Sequence, residues 1–342
     1  MNGSGAQILI GTNTYTGSTS VKNGTLGLGE AGSIADSSIV DVSQGAIFDI
    51  SQTNSGASVK DMGGAGGIDL GSQTLTLTAA DPDTVYSGVA SGSGGLTVSG
   101  GTETLSGANT YTGVTTVASG AGLSLPGSVA GVLTTAGTTD VNGGTVAGTT
   151  TNTGTLTAEG GTLAAVANNG GTATLSDTTA GAVTNASGAT FSATGGTLAS
   201  AANSGTMTLG AGNTVSGDVT QTAGSLTLDG NTVDGTVAAN GGTFDVASAG
   251  STAGSLSGTA SGTLDGTLDL TKASSTYSGG MSGSGGLTVS GGTETLTGAN
   301  TYTGVTTVGG GTLQLGNGGT AGNIATTTAI HDDGTLAVDR SD

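Results

Sequence analysis

A 32-residue segment is written twice in this chain. YSGVASGSGGLTVSGGTETLSGANTYTGVTTV runs from Tyr86 to Val117, and YSGGMSGSGGLTVSGGTETLTGANTYTGVTTV runs from Tyr277 to Val308. Three positions differ: Val89 against Gly280, Ala90 against Met281, and Ser106 against Thr297. A partial third copy stands near the start, where Gly11 to Gly29 matches Gly298 to Gly316 without a gap. Near-identical repetition at this length favours a stack of similar units over a single folded globule with a pocket.

Composition says what the stacked unit is made of. The chain has 71 glycines in 342 residues, 2% aromatic and 8% charged residues. The glycines have no three-residue period, which excludes collagen. Disordered chains combine low hydrophobicity with high charge and proline; here Val, Leu, Ile and Ala alternate with Thr and Ser, and there are two prolines. Strand formers between Gly- and Asn-rich corners describe an all-β repeat protein.

The formal net charge is −19, with 23 acidic and 4 basic residues. Lys22, Lys60, Lys272 and Arg340 are too few and too scattered for a nucleic-acid footprint. They also give no electrostatic hold on an acidic membrane. There is no cysteine, as suits a protein held by stacking rather than by staples. No apolar run approaches the ~20 residues of a spanning helix, so direct membrane insertion is not expected. The opening MNGSGAQILIG has neither the basic nor the apolar region of a secretory signal. With no polar cap at either end, the chain reads as an excerpt of a longer one.

Between the long copies a shorter period is visible. Val132, Thr149, Val166, Val183, Ala201, Val219, Val237 and Leu256 follow one another at steps of 17 to 19 residues. Two further apolar columns recur, one of Leu156, Leu175, Phe191, Leu209, Leu228, Val246 and Leu264, the other of Val146, Leu163, Ala180, Leu198, Val215 and Val233. Three columns per period describe a three-sided coil of short strands with alternate residues inward. Asn152, Asn168, Asn185, Asn203, Gln221 and Asn240 fall just after their anchors. In-register stacking would make them an amide ladder at one corner; the alternative is that Asn simply recurs wherever turns recur. The 32-residue copies fit the same rhythm as two coils each. At a period near 18 the chain holds about nineteen coils, each rising ~4.8 Å, in one continuous solenoid over residues 1–342.

GSGGLTVSGGTETLTGANTYTGVTTVGGGTLQLGNGG (Gly283 to Gly319) resembles the passenger-associated β-strand repeat of bacterial autotransporters. The stretch Gly63 to Gly88 is similar to coils that lead into such repeats, and DDGTLAVDRSD to the start of another. The resemblance implies a right-handed parallel β-helix with repeat-like units at 11–29, 86–117 and 277–308. It implies a structural passenger stalk at the cell surface or outside it, reached through the outer membrane of a Gram-negative bacterium. It also implies a C-terminal translocator β-barrel as partner, outside this segment, and contact with a host or neighbouring-cell surface in adhesion or biofilm. Vertical stacking of coils would then help draw the chain outward during export. The family sets no catalytic residues, and its lack of cysteine agrees with passage through a barrel.

Candidate chemistry is thin. His331, the single histidine, stands beside Asp332 and Asp333, but no nucleophile motif accompanies it. One histidine and no cysteine make a poor metal site. β-Helices also serve as polysaccharide lyases and glycoside hydrolases, which need paired carboxylates at a set separation. Asp81 and Asp83 flank Pro82 and read as a turn, while Arg340 lies at the very end and Lys272 has no acidic cluster beside it. Glu103 and Glu294 recur through duplication and are expected on the solvent side of their strands. Gly63 to Asp69 imitates a calcium-binding nonapeptide, with its Asp one residue late and no tandem recurrence. A crystal- or ice-binding face would need Thr-x-Thr at one place in every coil, and the middle coils show Ala, Ser, Asp and Gly there. No residue is assigned a catalytic, cofactor-binding or metal-binding role, and the protein is expected not to be an enzyme.

Overall fold

A computed structural model describes residues 2–247, 250–324 and 327–341. Among the described residues there is no helix. The chain divides into two compact units, Met1–Ala167 with Gly171–Ala173, and Asn168–Gly170 with Thr174–Asp342.

The first unit is a three-faced parallel solenoid. On one face Ala6–Leu9, Thr25–Glu30, Ile47–Thr53, Gly67–Asp69 and Val89–Ser91 stack in order. On the second, Thr19–Val21, Val40–Val42 and Met62–Gly64 begin a column that continues through Val85–Tyr86, Thr102–Leu105, Gly122–Ser124 and Thr138–Asn142. The third carries Ala57–Val59, Leu75–Leu77, Leu96–Val98, Thr115–Val117 and Leu133–Thr135. Leu75–Leu77 and Leu96–Val98 each bury their two apolar ends and turn the middle Thr outward, while Gly67–Asp69 buries its middle Ile68. That alternation is the period of two that a pleated strand imposes.

The second unit repeats the scheme with longer strands that bend round a corner. Thr197–Asn203 pairs along its length with Thr179–Asn185 on one side. On the other side it meets two separate strands, Thr214–Val215 and Val219–Gln221. The remaining face stacks Thr190–Thr194, Thr206–Leu209, Ser225–Leu228, Thr243–Val246 and Ser261–Leu264. Stacked positions hold like residues inside: Ala180, Leu198, Val215, Val233 and Ala253 form one column. Each Val or Leu so buried contributes roughly 1.5–3 kcal/mol.

The parallel β-solenoid follows the expectation from sequence; several registers do not. Inward positions fall on Leu133 and Thr150, which oppose each other, rather than on Val132 and Thr149. Val132 is 36% exposed, because a one-residue slip turns a side chain to the opposite face. The column that combined Leu156 and Phe191 with Leu209, Leu228, Val246 and Leu264 is two adjacent columns. Phe191 stacks with Met207, Leu226 and Phe244, while Ala193 stacks with Leu209 and its successors. Gly262 stands between Phe244 and Met281 in this column, and a Cβ there would lie 2.9 Å from the Phe244 ring and 3.2 Å from the Tyr277 hydroxyl. The glycine therefore makes room for two large side chains.

Coil length also varies more than expected. Steps of 17 and 18 residues hold in the middle, as from Thr138 to Thr155 and from Thr179 to Thr197. Towards the start they lengthen, with Thr25 opposite Ile47 and Val40 opposite Met62, each 22 residues on. Near the end Thr306 opposes Ile330, 24 residues on. The extra residues sit in corners, where loop length has little energetic cost. Among the described residues the turns accordingly number about 17 rather than nineteen.

Candidate functional site

The GANTYTGxT core folds into the same fastening in the two long copies, and into a more exposed version in the first, where Tyr15 is 41% exposed. In the last copy Asn300 is buried at a corner. Its Oδ1 accepts the Met281 N–H of the preceding coil at 3.1 Å, and its Nδ2 donates to the carbonyl of Gly298 at 3.2 Å and of Asn323 in the following coil at 3.0 Å. Tyr302 turns inward two residues later, and its hydroxyl meets the Thr306 hydroxyl at 2.7 Å. Thr306 in turn reaches Thr327 Oγ1 at 3.1 Å. The middle copy repeats this with Asn109 Oδ1 accepting Ala90 N–H at 3.0 Å and Tyr111 bonded to Thr115 at 2.6 Å. In the first copy Tyr15 bonds Thr19 at 2.6 Å, and Thr19 meets Ser37 at 2.8 Å.

The YSG opening of each long copy adds a second buried tyrosine. The Tyr86 hydroxyl donates to the Gly66 carbonyl at 3.0 Å, and that of Tyr277 to the Ala260 carbonyl at 2.5 Å. Both acceptors lie one coil earlier. Burial pushes the Tyr277 and Tyr302 phenols up to about 12 and raises Tyr86 and Tyr111 as well. These phenols therefore keep their protons at neutral pH.

The duplicated glutamates contradict the expectation. Glu103 and Glu294 are 0% exposed and face the interior, each two residues before an inward leucine. The TETL strand buries Glu and Leu and exposes Thr, whereas its polarity alone suggests the reverse. Burial, with a smaller push from Asp61, raises Glu103 to about 9; burial raises Glu294 to about 8, against the hydrogen bonds from Ser255 and Leu256.

An amide ladder stands in the second unit. Asn168 Nδ2 donates to Asn185 Oδ1 at 2.9 Å, Asn185 Nδ2 to Asn203 Oδ1 at 2.8 Å, and Asn203 Nδ2 to Gln221 Oε1 at 2.6 Å. Asn240 is not a member: Ala239 takes the position opposite Gln221, and Asn240 is exposed.

The other sequence candidates do not come together. His331, Asp332 and Asp333 are exposed on or beside the strand Ile330–Asp332, with His331 opposite Thr307. Asp81 Oδ1 accepts the Asp83 N–H at 3.0 Å, so this pair closes the Pro82 turn. Asp69 Oδ1 likewise accepts the Gly71 N–H at 2.9 Å. Arg340 donates to the Gly322 carbonyl at 3.0 Å, at the edge of a 590 Å³ cavity otherwise lined by uncharged residues such as Leu315, Ile324 and Val338. Among the described residues no group of three or more His, Cys, Asp or Glu side chains converges.

Among the described residues the outward surface of the second unit lacks a regular Thr-x-Thr file, as expected from sequence. In the second unit Thr190, Thr206, Ser225, Thr243 and Ser261 do lie in outward register, beside Ser192, Thr208, Thr227, Asp245 and Thr263. Among these only Thr206 and Thr208 make a Thr-x-Thr pair; Ser stands at one place in three of the other coils, and Asp245 interrupts the column.

Comparison with known families places these fastenings. The passenger-associated-transport-repeat family matches residues 1–28, 100–121 and 290–315. These stretches contain the Asn13–Thr19 motif, the Glu103 strand with the Tyr111 corner, and the Glu294 strand with the Tyr302 corner. No curated protein and no solved structure matches the chain.

Proposed function

We propose that this chain, which carries passenger-associated transport repeats at three places, is a stalk segment of an autotransporter passenger. It is displayed on, or released from, the surface of a Gram-negative bacterium, and its partner is a C-terminal translocator β-barrel beyond this segment. The observation that carries the reading is that the matched repeats are the coils whose Asn side chains fasten one turn to the next, each beside a Tyr–Thr hydrogen bond within the corner. Such residues supply rigidity, not chemistry. Among the described residues no helix is long and apolar enough to cross a membrane, as suits a segment that passes through a barrel.

The role is mechanical: the stalk holds out a surface for contact with a host or a neighbouring cell, in adhesion or biofilm. Stacking of each new coil on the last supports outward movement during export. The polysaccharide-degrading alternative draws no support from the geometry. Its candidate carboxylates are engaged in a turn, at Asp81, or enclosed, at Glu103 and Glu294.

The test places the chain between a secretory signal and a translocator barrel in a Gram-negative host. Protease added to intact cells should remove the segment from the surface while the barrel stays protected. Retention of the folded segment in the periplasm, with a barrel that exports other passengers normally, would overturn the reading.

A further inference from the structure

Two carboxyl groups lie inside the solenoid with almost nothing to receive a charge. Glu103 has no hydrogen-bond partner on either carboxyl oxygen, and Glu294 Oε1 has none. Glu294 Oε2 accepts the Ser255 hydroxyl at 2.9 Å and the Leu256 N–H at 3.5 Å. In the next coil Leu123 stands opposite Glu103 and Leu313 opposite Glu294. The titratable groups that act on or are acted on by Glu103 are Asp61, Tyr86 and Tyr111. Glu294 is met by a hydroxyl and an amide, and no lysine, arginine or histidine contributes at either carboxyl. An ion here would lose its hydration without a counter-charge, so the neutral acid is the form that the fold accepts. In the unfolded chain the same side chains are hydrated and ionised at neutral pH.

We infer that folding of the long repeats takes up one proton at Glu103 and one at Glu294, so that acidity tightens these coils and alkali loosens them. The balance is simple: each hydrated carboxylate gains a proton from solvent and enters the interior as a carboxylic acid. The folded-state value lies above the unfolded one of 4.5, at about 9 for Glu103 and about 8 for Glu294. The sign follows. Stability is complete below pH 4.5, falls as pH rises, and stops falling above the folded values. At pH 7 each glutamate reduces the folding equilibrium roughly 300-fold relative to strong acid. Asp61, also raised by burial, acts in the same direction. Acid denaturation ordinarily has the opposite sense. The coupling is a property of the folded coils and stands apart from whether the chain is exported.

Proton uptake on refolding of the full chain, in weak buffer at pH 7, tests this directly. The wild-type chain should take up about two protons more than the E103Q/E294Q variant, and about one more than E294Q. Equal uptake by folded wild type and folded variants overturns the inference. Should the variants not fold, infrared spectra of the native wild type decide. A carboxylic-acid carbonyl band at pH 7 that fades as the pH is raised past about 9 supports it. Absence of that band at pH 6 refutes it.

Discussion

Replacing Asn203 by alanine should break the amide ladder at its centre. Asn203 is 1% exposed. Its Nδ2 donates to Gln221 Oε1 at 2.6 Å, Ser225 O at 2.8 Å and Gly205 O at 3.2 Å; its Oδ1 accepts Asn185 Nδ2 at 2.8 Å and Gly205 N–H at 3.1 Å. Truncation leaves the Asn185 amide with Ala189 and Thr206 carbonyls. It leaves Gln221 Oε1 and the Gly205 N–H with no donor or acceptor in their place. A buried group left unpaired costs about 1–3 kcal/mol, so two such groups give a loss of about 2–6 kcal/mol. Asn203→Gln should lose less than half as much, because Gln221 already holds an amide in the same column. Asn240→Ala is the control: exposed and outside the ladder, it should change stability by no more than about 0.5 kcal/mol. Urea unfolding followed by circular dichroism gives the energies, and hydrogen exchange over residues 185–225 locates them. Equal losses for Asn203→Ala and Asn240→Ala would refute the ladder's contribution.

Three further substitutions probe the coil contacts. Tyr302→Phe removes the hydroxyl that meets Thr306 and should destabilise by about 1 kcal/mol in urea. Phe244→Ala empties a fully packed position beside Gly262, with an expected loss of about 3–5 kcal/mol in the same assay. Gly292 has φ 75° and would place a Cβ 2.0 Å from the Ala273 carbonyl. Gly292→Ala should therefore cost several times the loss at Tyr302, seen as protease cleavage near residue 292 under native conditions.

The solenoid was legible because three apolar columns recur at nearly one spacing, and stacked columns of like residues leave few other arrangements. Side-chain direction was less legible. Val132 and Leu133 are adjacent apolar residues, and nothing in their chemistry says which faces inward; the pairing of Leu133 with Thr150 decides it. Asn240 mimics a ladder residue in type and spacing, yet the strand puts Ala239 at that position. Glu103 and Glu294 are the clearest failure. A glutamate between threonines reads as a surface residue, and only the register that makes its strand bury Glu with Leu reverses this. The GANTYTG segment was recognisable as a motif, and its Tyr finds a partner four residues on, but the work of its Asn depends on backbone partners one coil away, which no local pattern displays. Long outer coils escaped notice because corner insertions leave the strand pattern unchanged.

The fastening at Asn300 has a consequence for how such a chain grows. Its partners, Met281, Gly298 and Asn323, all belong to its own turn or the turns on either side. A segment of whole coils that is copied elsewhere therefore arrives with its internal joints already fitted, and only its two boundary seams must match the new neighbours. The three differences between the 32-residue copies include Ala90 and Met281, the very residues whose backbone N–H groups the two asparagines hold. A joint made to the main chain does not depend on which side chain stands at that place, so the buried pair can change with its packing neighbour, Ala90 over Ile68 and Met281 over Gly262, while the assembly rule stays fixed.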